Sequence, residues 1–463
     1  MMEITSVQPH VPVTTPLAQE QRISVLDTIR GYAVLGILLM NIPYFSDAVS
    51  LASNPFIRNE SGKDFYAWLI VDGAFEGTMR ATFSMLFGAG AILLLRRLEK
   101  NPRIDVTPAD IYYRRLLWLL CFGLVNAFIF TWPGDILYTY AISGLFIYPF
   151  RNMKVKGLLL MALLFILVAT TFKNFEWYEA HEKRVKGEHA AKMKSSGSTL
   201  NKEQEDNLQA WKASRDRRSP ESMMKNVEAS RKTAHGDYFS VLRDFSRSSV
   251  MIQTRYFYFD LFWDAIAFFF IGMALFKAGV ITGARSMKFY IVSAVVCLTI
   301  GYLLSYHMMK WYIALKMDSS FYLEKIGPNL YQFRRLFQAL GYMSIVILMY
   351  KAGIFSRLWT WLAKVGQMAF SNYLMQSIIC GFIFYGWGLG KFGTMARHET
   401  YYVVFAVWIF QIIFSNIWLA YFRFGPFEWA WRSLTYWKRQ PMGRESSEQG
   451  AVSSKQGAVS SEQ

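Results

Sequence analysis

Cysteine is nearly missing from this chain: Cys121, Cys297 and Cys380 are the only three in 463 residues. Each falls within an apolar block, so they read as small core residues and exclude a disulfide framework. Histidine is almost as scarce. The six are His10, His181, His189, His235, His307 and His398; no pair has metal-ligand spacing, so no metal site is expected. No glycine loop for phosphates and no nucleophile elbow occurs. Charge is thin at 18% of residues, less than a soluble chain of this length carries. The polar first 20 residues contain no apolar core. That argues against a cleavable signal peptide and leaves the first apolar block as its own insertion signal.

What the chain has in quantity is apolar surface, 53% of residues, with 17% aromatic. The apolar residues come in blocks long enough to cross about 30 Å of hydrocarbon. The expectation is an all-α, polytopic integral membrane protein with about ten transmembrane helices and one extramembrane helical insert. The spans fall near 31–48, 79–95, 116–132, 136–150, 157–172, 257–276, 289–308, 336–350, 368–387 and 402–421. This gives an N-terminal segment 1–26, a membrane half 27–172, a charged insert 173–255, a second membrane half 256–440 and a low-complexity tail 441–463.

The formal charge of +17 does not point to nucleic acid, because the basic residues sit mostly in short connections between apolar blocks. Arg96, Arg97, Lys100, Arg103, Arg114 and Arg115 form one such group, and Arg151, Lys154 and Lys156 another. Every second connection is basic, which places both termini in the cytoplasm by the positive-inside rule. The connection 49–78 and the insert then face outward; long segments translocate largely regardless of charge. Membrane lipids are the expected surroundings.

Charges and amides inside apolar spans are expensive, so they mark sites or helix seams. Asp27 and Arg30 stand at the mouth of the first span, and Asn41 lies eleven residues beyond Arg30, on nearly the same face. Arg30 either holds an anionic group or snorkels to lipid phosphates beside Asp27; Asn41 either bonds a substrate carbonyl or joins two helices. Arg80 enters the second span, with Glu76 one turn earlier as its local partner. Asn126 falls at mid-span before the turn Pro133-Gly134-Asp135, where Asp135 caps the next helix or serves a site. Asn372 and Gln376, four apart, form a polar stripe read as a cavity wall. Asp260 and Asp264, also four apart, repel unless a proton or a base intervenes; Arg255 is a partner for the first, and a proton or cation pathway is the transport-like reading.

These segments resemble the YeiB-like family of bacterial inner-membrane proteins. The resemblance runs over Arg22-Ile23 to Asn41-Ile42, Phe83-Ser84-Met85-Leu86-Phe87-Gly88-Ala89-Gly90, Arg114-Arg115-Leu116 to Asp135-Ile136-Leu137, and Tyr140-Ala141. It resumes at Gly366 to Ser377 and closes with Phe422-Arg423-Phe424-Gly425-Pro426-Phe427-Glu428-Trp429 and Trp431 to Tyr436. Asn126 stands where the family often has a histidine. More distantly, the first span is similar to that of the transmembrane acyltransferases, which modify envelope sugars or lipids. In one branch an arginine is followed, after ten residues, by a catalytic histidine; Arg30 keeps its place and Asn41 replaces the histidine.

The resemblance implies an acyltransferase-like protein that moves an acyl group from an acyl-thioester or lipid donor to an envelope glycan or lipid. Asp135, Asn126 and Asn41 would serve the chemistry, while Asp27, Arg30, Arg80, Asn372 and Gln376 would bind substrate. The alternative is a transporter or lipid translocator that uses the same polar interior.

Overall fold

The computed structural model describes residues 24–100 and 106–443. The N-terminal segment up to residue 23, Arg103 and the tail beyond Gly443 lie outside the described residues. Helix α1 (Ser24–Ser46) opens the membrane region and ends just past Pro43. Short α2 (Val49–Ser53) and α3 (Gly62–Ala74) follow, and then α4 (Thr78–Lys100). Helix α5 (Pro108–Phe128) starts on a capping box in which the Thr107 side chain and the Asp110 backbone N–H pair, satisfying donors that the first turn leaves open. Helix α6 (Leu137–Leu145) is only nine residues long. It gives way to a 3-10 turn, Tyr148–Asn152, so the block read as a span at 136–150 is a half-length helix.

Helix α7 (Val155–Ser195) runs 41 residues without a break, about 60 Å at 1.5 Å per residue. Its first half is apolar and its second half charged, so the insert boundary at 173 lies inside one continuous rod. Helices α8 (Lys202–Arg217), α9 (Pro220–Ala234) and α10 (Tyr238–Met251) complete the insert. The chain re-enters the apolar region through a π-helical stretch, Ile252–Leu261, that leads into α11 (Phe262–Lys277).

The second half holds α12 (Met287–Ala314), a single-turn α13 (Tyr322–Lys325), α14 (Tyr331–Lys351), α15 (Ser356–Gln367), α16 (Ala369–Phe384), α17 (Arg397–Tyr421) and α18 (Pro426–Tyr436). Six helical rods among the described residues are long and apolar enough to cross a membrane: Ser24–Ser46, Gly62–Lys100, Val155–Ser195, Tyr238–Lys277, Met287–Ala314 and Arg397–Tyr421. The count of about ten is therefore not reached by length and composition. Helices α5 and α14 carry paired arginines, and α6 and α16 are short. The protein is an all-helical membrane protein.

Two seams hold the bundle. Gly31 of α1 and Gly366 of α15 face each other, and a Cβ on either would overlap the partner's backbone. Gly88 of α4 and Gly272 of α11 do the same against Phe269 and Met85. Close backbone approach of this kind replaces the hydrophobic drive that is missing between helices in lipid.

The insert folds over the end of the bundle that carries the connection 47–76. The buried Asp47 carboxylate accepts bonds from Arg231 Nε (3.2 Å) and Nη2 (3.0 Å) of α9 and is also paired with Arg58. Arg184 of α7 donates to Glu324 at 2.6 Å and to the Ser320 carbonyl at 3.2 Å, and the Gly386 N–H donates to the Ala234 carbonyl at 2.7 Å. The basic short connections gather at the opposite end, where Lys277 Nζ donates to the carbonyl of Met153 at 2.8 Å and Lys351 Nζ to that of Gly283 at 2.7 Å. Cutting the clamp on Asp47 should free α9. Charge-assisted bonds are worth about 1.5–3 kcal/mol, so Arg231→Ala is expected to speed amide exchange across 220–234 by about tenfold or more, read by hydrogen-exchange mass spectrometry.

Candidate functional site

Helix α4 lies inside the bundle. Met79, Ala81, Thr82, Ser84, Met85, Leu86 and Ala89 are all buried. Arg80, Phe83, Phe87 and Gly90 are not; each is only partly covered. Their spacing of three and four places them on one face. This half-open stripe on an otherwise buried helix outlines a shallow groove along α4. The groove has an arginine at each end. Gly90 faces Arg30, whose Nη2 lies 3.4 Å from where a Gly90 Cβ would be. Ten residues, about 15 Å of helix, separate Gly90 from Arg80. Phe83 and Phe87 lie between, each packed on one side against the Tyr140 ring, and Phe87 also against Phe269.

At the first end, Arg30 Nη1 donates to Asp27 Oδ1 at 2.9 Å. Asn41, farther along α1, is half-buried, and its side chain bonds no other described residue. One turn on, Tyr44 is 39% exposed.

At the second end, Asp264 of α11 is buried between two guanidiniums. Arg335 of α14, fully buried, is its tight partner, and Arg80 Nε stands 3.4 Å from Oδ2. Arg335 Nε also donates to Gln332 Oε1 at 2.9 Å. The expected local pair of Arg80 with Glu76 does not form. Glu76 instead accepts from Arg334 Nη2 at 2.7 Å and from the Tyr331 hydroxyl at 2.8 Å. Arg255 is not the partner of Asp260 either: Lys173 Nζ lies 3.1 Å from that carboxylate. The two aspartates thus have separate basic partners, which removes their repulsion.

Asn126 and Asp135 do come together. Asn126 Nδ2 donates to Asp135 Oδ1 at 2.7 Å, the Tyr138 N–H donates to Oδ2 at 2.8 Å, and the Tyr373 hydroxyl donates to Oδ1 at 3.3 Å. Asp135 caps α6 and ties α5 to α16. No hydrogen bond joins it to Asn41 among the described residues, but Phe45, on the next turn of α1, stacks on Trp132 with centroids 3.7 Å apart. The Tyr140 hydroxyl, 2.6 Å from Ser84 Oγ, anchors α6 to α4 beside the groove.

Asn372 and Gln376 are not a cavity wall. Both are buried. Asn372 Nδ2 donates to the Val365 carbonyl and to Ser415 Oγ at 3.1 and 3.0 Å; Gln376 Nε2 donates to the Val34 carbonyl and to Gln411 Oε1, each at 3.1 Å. They are glue between α1, α16 and α17, as amides in packed membrane helices often are.

Arg334, Arg335, Tyr44, Tyr140 and Tyr373 are polar participants that sequence reasoning did not single out. The adjacent arginines offered a signal, but a span placed at 336–350 left them just outside it. On the capped end, a small pocket lined by Asp47, Arg58, Glu60 and Arg397 is closed by ion pairs. Burial pushes the Asp47 and Glu60 carboxyls above the usual range, against the lowering pull of Ala48 N–H and Arg231 on the first and of Arg397 on the second. Among the described residues, no three His, Cys, Asp or Glu gather as a metal site would.

A family described as "Protein of unknown function (DUF418)" matches residues 275–438. The chain is 31% identical to the uncharacterized protein YxaH of Bacillus subtilis, over 93% of this chain and 98% of that one. It is 29% identical to the uncharacterized protein YeiB of Escherichia coli, over 89% and 95%. An uncharacterized 39.9 kDa protein of Bacillus acidopullulyticus, from the 3' region of an amylase gene, is 25% identical over 92% and 97%. No solved structure matches. The relatives match over nearly their whole length: the chain belongs to the YeiB-like family.

Proposed function

We propose that this protein is an acyltransferase-like protein of the bacterial inner membrane that acts on an envelope glycan or lipid, and that the groove along α4 holds the acyl chain. One observation carries the reading: Arg80, Phe83, Phe87 and Gly90 form an open stripe on a buried helix, apolar in the middle and basic at both ends. An amphiphile with an anionic group matches that pattern. Arg30, with Asp27, receives the anionic part of an acyl-thioester or lipid donor at the cytoplasmic mouth. Asn41 offers its free amide to the acyl carbonyl. Transfer forms the bond from the carbonyl carbon to an acceptor hydroxyl oxygen and breaks the donor's bond to sulfur or oxygen. The hydroxyl proton passes to the leaving group by way of Asp135, which Asn126 and Tyr373 hold in place. The basic connections on one end of the bundle support cytoplasmic placement of that end and of both termini.

The test is envelope acylation, measured by mass spectrometry of extracted glycans and lipids from cells that express the wild type or variants which still insert. Arg30→Ala and Asn41→Ala are expected to lower the modified fraction at least tenfold, and Asp135→Asn about a hundredfold, as for a lost general base. Unchanged acylation in all three sinks the reading.

A second reading, passage of an anionic lipid through the groove without covalent chemistry, is favoured by the full engagement of Asp135 as a helix cap. It predicts lipid flux in proteoliposomes that Arg80→Gln abolishes; no flux above protein-free vesicles counts against it.

A further inference from the structure

Asp264 is one carboxylate serving two guanidiniums, and it serves them unequally. Arg335 is its tight partner, while Arg80 stands off at 3.4 Å. The other acids nearby are occupied. Glu76 is held by Arg334 and Tyr331, Asp260 pairs with Lys173, and Asp72 lies beside Glu76 and Arg334. Arg80 Nε has no hydrogen-bond partner, nor has Arg335 Nη1 or Gln332 Nε2 behind it. A buried guanidinium needs acceptors for its five donors and a counter-charge. Arg335 is fully covered, but the Arg80 side chain is 34% exposed, at one end of the half-open stripe of α4.

We infer that Arg80 binds a phosphoryl group presented in the groove, and that Arg335 is a positioning residue which shares Asp264 and leaves the Arg80 charge only partly compensated. A phosphoryl group suits the place because it offers several acceptor oxygens to a planar fork of donors. The site uses the groove of the proposed function but not its chemistry, so it stands or falls by binding alone, whether or not acyl transfer is found.

Binding is measured on the full chain in mild detergent by calorimetry, with dihexanoyl phosphatidic acid and, separately, inorganic phosphate as probes. Saturable binding of the lipid alone identifies a membrane-borne phosphate; equal binding of inorganic phosphate identifies a free one. Either is expected to weaken at least tenfold in Arg80→Gln. The discriminating variants concern Asp264. In Arg335→Gln the carboxylate is released to neutralise Arg80, and affinity should fall at least tenfold. In the double variant Asp264→Asn/Arg335→Gln it should return to within about threefold of wild type. A merely structural role for Arg335 would not produce that rescue. Binding of neither probe, or the same affinity in Arg80→Gln, overturns the proposal; so does a double variant that folds but stays as weak as Arg335→Gln.

Discussion

Asp264→Ala is expected to destabilise the bundle by about 3–5 kcal/mol, the cost of breaking a buried ion pair from one side. The loss is larger than that of a single bond because two guanidiniums depend on the one carboxylate. Arg335 is fully enclosed, over the ring of Phe268 at 4.6 Å and of Tyr331 at 4.9 Å, so water cannot take the place of Asp264. Fluorescence-detected size-exclusion after heating, run on wild type and variant in the same detergent, reads the effect as a lowered midpoint. Removing the Asp264 and Arg335 charges together should be milder: Asp264→Asn/Arg335→Gln leaves polar groups of similar shape, and the one guanidinium left without a carboxylate, Arg80, is partly exposed. A single variant as stable as wild type would mean that the three groups do not meet as described.

Gly366→Val is the other large effect. A Cβ at Gly366 would overlap the Asp27 carbonyl and come within 2.7 Å of the Gly31 nitrogen. Neither neighbour is a flexible side-chain end, so α1 and α15 must part. Overpacking of this kind costs about 3 kcal/mol, and here it also shifts Arg30, which sits one residue from Gly31. Gly73→Ala is the matched control. It meets only side-chain atoms at 3.7 Å and beyond, and in a helix it should gain up to about 1 kcal/mol. Equal midpoints for Gly366→Val and Gly73→Ala would contradict the seam.

The helical class was legible because apolar blocks of span length have few alternative explanations. The ten-span count is not matched by the six long apolar rods among the described residues, and composition shows why. Residues 136–150 are apolar enough to look like a span, yet the chain uses them for a nine-residue helix and a turn. Helices α15 and α18 were missed because each is short and amphipathic, with buried residues on one side only. The insert read correctly as charged and helical around Tyr178 to Lys194, but nothing in composition showed that α7 carries one rod from bilayer to insert.

Site residues close in sequence were easier than distant ones. Asp27 with Arg30, and Asn126 with Asp135, are joined by a helix turn and by a hairpin. Arg80, Asp264 and Arg335 come from three separate helices, and periodicity says nothing about which helices meet. The sequence therefore offered Glu76 to Arg80 as the nearest acid in the chain, whereas the fold gives Glu76 to Arg334 and supplies Asp264 from across the bundle. Asn372 and Gln376 looked like a cavity wall for a similar reason: a polar stripe has the same spacing whether it faces water or another helix.

The central claim is that the α4 groove holds an acyl-bearing molecule. It is tested most directly by mass spectrometry of the lipids and small molecules that co-purify with the full chain in mild detergent, comparing wild type with Gly90→Trp, which fills the groove beside Arg30. An acyl-bearing species near one per chain is expected in the wild type and is lost in Gly90→Trp, with bulk lipid unchanged. The same species at the same stoichiometry in both proteins would contradict the claim.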